Sequence, residues 1–344
     1  MFSNRLEPTQ ECINFLVNSD FCHVLPDGFL RFNWYPLGYE DHLEHLAYFM
    51  MKDMIDEVFA PNRAILAKLI LFTKNLYNPI SFHNFEHAIP KSSWLRGTYS
   101  ASLFNDKAEM VGYVLLQVTA LAVTALCHDA GRSRYRLKGV SPSENIHQKL
   151  YDVVQGYSSV SERIVGIVKD VEMFKHLPNE EYQEMMNLVM HYATGTDLCV
   201  SFEKRLRVKR LMERNELDLK VPLHRSQCMV LVMSAADLSG QTKPINIAVM
   251  LTRRIYEEFH EMADLEKNND LRPTERMNRD LCDDIHEQQL FYLTKIAKPV
   301  YEIIAMVMPN TKPLLNGIEA VISAEQSESD FAELASHLDK TRAD

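Results

Sequence analysis

Residues 111 to 127 read Val-Gly-Tyr-Val-Leu-Leu-Gln-Val-Thr-Ala-Leu-Ala-Val-Thr-Ala-Leu-Cys and run straight into His128-Asp129. This stretch is shorter than the ~20 apolar residues a bilayer span needs, and it carries Gln117 and two threonines. It is therefore expected to be the most buried helix of a water-soluble core, and no membrane span is expected. The elements around it are expected to be helices too. Gly (11) and Pro (14) are scarce, and long stretches are rich in Leu, Met, Ala, Glu and Lys. The expected fold class is all-α, a compact multi-helix domain. A chain of 344 residues exceeds the usual domain of roughly 100 to 200 residues, but 46% apolar residues can fill the core of one large helical domain.

Residues 1–30 read as an N-terminal arm or a short first helix, with turn signals at Asn18-Ser-Asp and Pro26-Asp-Gly. Between 41 and 59, the apolar positions Leu43, Leu46, Phe49, Met50, Met54, Ile55 and Val58 have the three-four spacing of an amphipathic helix. Pro61 opens a second helix to about Tyr77, and Asn78-Pro79 breaks the chain before the next. Further helices are expected over 144–154, 161–174, from Leu177-Pro178 towards His191, over 225–236, 244–266 and 283–308, and from about Leu314. The charged tail, 324–344, is expected to be loosely attached to a domain spanning 31–323.

The net charge of -10 argues against a nucleic-acid partner, which would need clustered Lys and Arg to neutralise phosphates. An anionic small substrate would need local positive charge, most simply a metal. The six cysteines are scattered with no Cys-x-x-Cys pair and no secretory signal is read, so they are expected to be reduced thiols of a cytoplasmic protein.

Residues 81 to 88, Ser-Phe-His-Asn-Phe-Glu-His-Ala, place His83 and His87 four apart in a helix-compatible segment, where both imidazoles would share one face. Such a pair can bind a metal, or one can bind while the other handles a proton. It can also be an ordinary pair on an amphipathic helix. The same residues satisfy the His-x-x-Glu-His pattern of inverted zinc peptidases, with Glu86 as base. Elsewhere His128-Asp129 and Asp237 close apolar runs, where a carboxylate is costly unless paired or metal-bound. A His-Asp pair tied to a backbone carbonyl, or an Asp helix cap, would serve as well. Together His87, His128, Asp129 and Asp237 make a hard N/O set suited to zinc or another divalent ion. Such an ion lowers the pKa of coordinated water towards about 7. His83, not needed to complete the set, can then protonate a leaving oxygen. That combination is hydrolytic.

The motifs occur in a recognisable order: His-Asn-x-x-His-Ala at 83 to 88, Thr-Ala-Leu-Cys-His-Asp at 124 to 129, Thr-Asp-Leu at 196 to 198, Ala-Ala-Asp-Leu-Ser-x-x-Thr-Lys-Pro at 235 to 244 and Glu-Glu-Phe at 257 to 259. Over about residues 32 to 331 the chain resembles the catalytic domain of class I 3',5'-cyclic nucleotide phosphodiesterases. Met277-Asn278-Arg279-Asp280 and the 237 to 244 run make it most similar to the cGMP-specific, photoreceptor and dual-specificity branch. The resemblance sets the peptidase reading aside, because the inverted motif does not predict His128-Asp129 or Asp237. It implies a helical domain with an HD-domain-like metal site, a role in signal transduction, and hydrolysis of a cyclic nucleotide to its 5'-monophosphate. It implies His83 as general acid and His87, His128, Asp129 and Asp237 as ligands of a first ion, zinc, with Asp129 bridging to a second, magnesium or manganese. It also implies Gln289 bonding the base while Tyr292 and Ile255 sandwich the purine, and it leaves room for a homodimer. The alternative for Gln289-Leu-Phe-Tyr is an ordinary helix turn with its aromatics in the core.

Two departures bear on activity. Arg132 stands where the family has a second His after His-Asp, and Gln155-Gly-Tyr-Ser-Ser-Val-Ser-Glu162 lacks the family's Glu-His-His element. Losses behind the ligands typically cost about 10- to 100-fold in metal affinity or activity, so a weak second site is expected. The alternative is an impaired phosphodiesterase-like domain that binds cyclic nucleotide or a partner subunit. Ala248 occupies the position where cAMP enzymes tend to have Tyr and cGMP enzymes Gln, and Gly240 is small as in the cGMP branch. The resemblance thus favours cGMP over cAMP.

Overall fold

The computed structural model describes residues 7–19, 28–29, 31–55, 59–99, 108–130, 160–268, 270–281 and 285–327, and among these there is no strand. The all-α expectation holds. Helix α1 (Gln10–Asn18) is started by Thr9, whose hydroxyl accepts from the Cys12 N–H at 3.2 Å. Ile13 and Leu16 are buried and α1 packs on α3 (Arg63–Leu76), so this part of the lead-in belongs to the core. Helix α2 (Leu43–Met54) follows the predicted apolar stripe, and Asn62 caps α3 by accepting from the Ala64 N–H at 2.9 Å.

The predicted central helix is α5 (Ala108–Cys127), which packs on α4 (Phe85–Tyr99) and α7 (Asn179–Ala193). Ala120, Ala122, Val123, Ala125, Leu126 and Cys127 are completely buried. Its small alanines let neighbouring helices approach, and each large apolar side chain buried there contributes about 1.5–3 kcal/mol. The C-terminal turn is fixed by the Tyr77 hydroxyl, which donates to the Leu126 carbonyl at 2.9 Å, and by the buried Arg163 of α6 (Val160–Asp170), which donates to the His128 carbonyl at 3.3 Å.

Helix α9 (Pro222–Asp237) begins with Pro in its first turn, where the missing N–H costs nothing. It is buried from Cys228 to Ala236 against α4, α8 (Leu198–Glu213) and α12 (Lys298–Val307). The Tyr301 hydroxyl of α12 donates to the Ala235 carbonyl at 2.6 Å. Beyond α9, a short 3-10 turn, Leu238–Thr242, leads into α10 (Ile245–Asn268) and is backed by α13 (Lys312–Gln326). Gly317 of α13 lies against the Thr242 carbonyl, too close for any side chain.

Three sequence expectations are corrected. The chain over 81–84 is not helical, so His83 precedes α4 instead of sharing a helix face with His87, which sits in the first turn of α4. The expected 283–308 helix is divided into α11 (Ile285–Phe291), a π stretch Tyr292–Ala297 and α12. Pro299 explains the widening, because it can neither donate to the carbonyl four residues back nor fit beside it. Nearby, Arg205 donates to the Ile296 carbonyl at 3.3 Å. Helix α13 runs past Ser323, with Ala324 and Glu325 buried. The predicted 144–154 helix lies outside the described residues, as do Arg132 and most of 155–162.

Candidate metal centre and proton donor

Three helix ends meet at one place. Asn84 accepts from the His87 N–H at 3.2 Å and so starts α4 with His87 in its first turn. The residues just past α5 supply His128 and Asp129, and the last residue of α9 supplies Asp237. One donor atom from each of His87, His128, Asp129 and Asp237 lies within 4.8 Å of the others. An ion with bonds of about 2.0–2.2 Å holds its donors no more than about 4.4 Å apart, so small side-chain movements close this set on an ion.

The donor chemistry fits a divalent cation. His87 Nε2 is buried, makes no hydrogen bond among the described residues, and lies 3.5 Å from Asp237 Oδ1 and 3.8 Å from Asp129 Oδ2. Burial, reinforced by the nearby Lys91 ammonium, pushes the His87 imidazole down to about 3, leaving a neutral ring with a lone pair to offer. His128 Nδ1 donates to the Ala125 carbonyl at 2.9 Å, which turns Nε2 towards the cluster, 2.8 Å from Asp129 Oδ2 and 3.4 Å from Asp237 Oδ1. Burial acts to raise the Asp237 carboxyl, but the Lys91 ammonium, with help from the two imidazoles, holds it well below the usual carboxylate range. Lys91, one helical turn after His87 and 1% exposed, places Nζ 2.5 Å from Asp237 Oδ1 and hydrogen-bonds His128 Nε2.

His83 stands beside this cluster, its ring centroid 5.5 Å from that of His87. The buried Glu258 of α10 grips it. Oε1 is 2.6 Å from His83 Nδ1, and Oε2 accepts from the backbone N–H groups of Phe82 and His83, both at 3.0 Å. With Nδ1 engaged, Nε2 is the nitrogen available to a ligand. Glu86 is occupied elsewhere, accepting from the Tyr35 hydroxyl at 2.7 Å and from Arg254 at 2.9 Å. Held by these partners, it is engaged away from the role of base that the peptidase pattern gives it.

The family described as 3'5'-cyclic nucleotide phosphodiesterase matches residues 82–318, more than half of the chain. The chain belongs to this family. Among its curated relatives are a probable 3',5'-cyclic phosphodiesterase, pde-5, of Caenorhabditis elegans (24% identical over 76% of this chain and 35% of that protein) and the cGMP-specific 3',5'-cyclic phosphodiesterase of Drosophila virilis (25% identical over 79% and 30%). The corresponding enzyme of Drosophila melanogaster is also 25% identical, over 79% of this chain and 24% of its own. The chain thus spans about a third or less of the length of these relatives. Its fold matches the structure of LmjPDEB1 in complex with IBMX with a TM-score of 0.78 at 18% identity, covering 94% of this chain and 99% of that one.

Gln289 of α11 is buried and its Nε2 donates to Gln241 Oε1 at 2.7 Å, which ties it to the turn following Asp237. Tyr292 opens the π stretch and packs on the main core, its hydroxyl pushed up by burial and by Asp237. Ile255 packs in a smaller apolar cluster with Tyr35, Phe82, Ile247 and Leu251, so the two expected jaws of the purine slot belong to different clusters. Glu162 is exposed on the first turn of α6 and is not part of the four-residue set. Among the described residues no helix is long and apolar enough to cross a membrane. Sequence reasoning missed Lys91, Glu258 and Gln241. Glu258 and Gln241 lie inside motifs that were read, and Lys91 carries the signal of spacing, i+4 from His87.

Proposed function

We propose that this chain hydrolyses a 3',5'-cyclic nucleotide to the nucleoside 5'-monophosphate, with cGMP preferred over cAMP. The observation that carries the reading is the placement of His83, gripped by Glu258 through Nδ1, beside a largely buried set of two imidazoles and two carboxylates. His87, His128, Asp129 and Asp237 would hold a first divalent ion, zinc, and Asp129 would also face a second, magnesium or manganese. Bound there, the ions would supply Lewis acidity to the phosphoryl group and a lowered pKa to water. The chain's own contribution is placement and proton transfer. Water gives up one proton to solvent as its oxygen bonds phosphorus, the bond from phosphorus to O3' breaks, and His83 Nε2 delivers a proton to O3' as that oxygen leaves, so that one proton is released for each one delivered. Glu258 keeps the ring aimed. Gln289 bonds the base, with Tyr292 and Ile255 bracketing the purine. The cGMP preference rests on the cGMP-specific relatives and on the small Gly240.

The experiment is turnover of cGMP and cAMP by purified protein supplied with Mn or Mg, alongside Asp237→Asn. Conversion to the 5'-monophosphate, faster for cGMP and abolished in the variant, is expected. Protein that holds metal at the centre yet converts neither nucleotide would overturn the reading.

A further inference from the structure

Lys91 is a fixed cation inside the candidate metal centre, and its position on α4 leaves it little choice. Residues four apart on a helix lie one above the other, so a chain that points His87 into the cluster points Lys91 there as well. Its Nζ lies 2.5 Å from Asp237 Oδ1 and hydrogen-bonds His128 Nε2. An ammonium has three donors and no acceptor, so it draws on the same oxygen and the same imidazole lone pair that an ion would take. A divalent ion bonded at about 2.0–2.2 Å to those two atoms would stand where Nζ stands.

We propose that Lys91 is an internal counter-cation, which stabilises the centre without metal and competes with the divalent ion for Asp237 and His128. The proposal rests on the reading of the four residues as a metal centre. Two carboxylates beside two imidazoles would repel each other in a metal-free chain, and the Lys91 charge offsets half of the carboxylate charge. Loading an ion then requires Lys91 to leave both partners, and the loaded centre carries an additional positive charge. The chain should therefore tolerate metal loss well and bind metal weakly.

The test compares wild type, Lys91→Met and Asp237→Asn by titration calorimetry with Mn, by metal content after dialysis, and by melting with EDTA or Mn. Lys91→Met is expected to bind Mn roughly 10- to 100-fold more tightly than wild type. Its melting temperature should fall in EDTA and recover with Mn, whereas wild type should be nearly indifferent to EDTA. Lys91→Gln removes the same charge with a polar side chain, and gives the comparison should the Met variant aggregate. Equal Mn affinity and equal EDTA sensitivity in wild type and the Lys91 variants would overturn the competition while leaving the metal centre intact. Mn uptake no higher than in Asp237→Asn, in wild type and Lys91 variants alike, would overturn the metal centre and the competition with it.

Discussion

The Gln289 side-chain amide donates to Gln241 Oε1 at 2.7 Å, and both side chains are buried. Ala248, at the position where cAMP enzymes tend to have Tyr and cGMP enzymes Gln, has only a methyl group and offers this glutamine no hydrogen bond. Gln241 reaches Gln289 from the 3-10 turn after Asp237 instead, so the donor set and the proposed base-binding amide share one short segment. Gln241→Leu leaves a buried amide without its partner, a cost of about 1–3 kcal/mol, and frees Gln289 to rotate. On the proposed reading, KM for cGMP rises roughly 10-fold while kcat changes little, and discrimination against cAMP narrows. Steady-state kinetics with both nucleotides checks this, and an unchanged KM would remove Gln241 from substrate positioning.

Glu258 acts on substrate only through His83, and that dependence is measurable. His83→Ala should lower kcat by about 10²- to 10⁴-fold, the usual range for a positioned proton donor. Glu258→Gln should lower kcat less, and the double variant should be no slower than His83→Ala, because Glu258 has nothing to aim once the imidazole is gone. Metal content should stay at the wild-type level in all three, since neither residue belongs to the four-residue set. Multiplying losses in the double variant would show that Glu258 works independently.

The main helices and the donor set were legible in sequence because each rests on a local regularity. The apolar run before His128 can only be a core helix, and a carboxylate such as Asp237 at the end of a buried helix demands a charge partner. Helix phase at His83 was misread, because the capping oxygen of Asn84 sets the start of α4 two residues beyond His83. Contacts that span the chain were not legible. Glu258 meets His83 across 175 residues and Lys91 meets Asp237 across 146, and no spacing rule reports such distances. The π stretch follows from Pro299, whose missing N–H is a local signal.

Lys243 is buried, donates to the Phe32 carbonyl at 2.7 Å, and is pushed down by burial from 10.5 to about 7. The unfolded chain keeps the lysine proton up to its ordinary value, so across this window the unfolded state binds more protons than the folded one. The contribution of Lys243 to stability is therefore fully present above the unfolded value and is lost as pH falls towards 7. Lys243→Met removes this dependence. Urea unfolding of both proteins should show the variant's advantage largest near neutral pH and smaller by a few kcal/mol towards pH 10, at about 1.4 kcal/mol per pKa unit. A difference between the two proteins that does not change with pH would mean that Lys243 titrates as an exposed lysine.

Gly195 and Gly240 flank the last turn of α9 under different constraints, and that contrast tests how tightly Asp237 is held. A Cβ at Gly195 would lie 2.6 Å from the Val230 carbonyl oxygen and 3.1 Å from Met233 Cβ, and the Ser234 hydroxyl donates to the Gly195 carbonyl at 2.5 Å. Backbone is in the way, so Gly195→Ala can be accommodated only by moving α9 itself, at about 1–3 kcal/mol. At Gly240 the only neighbour within reach of a Cβ is Leu251 Cδ1 at 3.0 Å, the end of a side chain that can rotate away. Gly195→Ala should therefore melt at a lower temperature and retain less Mn, as the displaced helix carries Asp237 out of register with His87 and His128. Gly240→Ala should stay near wild type in both. Equal melting and equal metal retention in the two variants would show that the end of α9 is compliant and that the donor set does not depend on this packing.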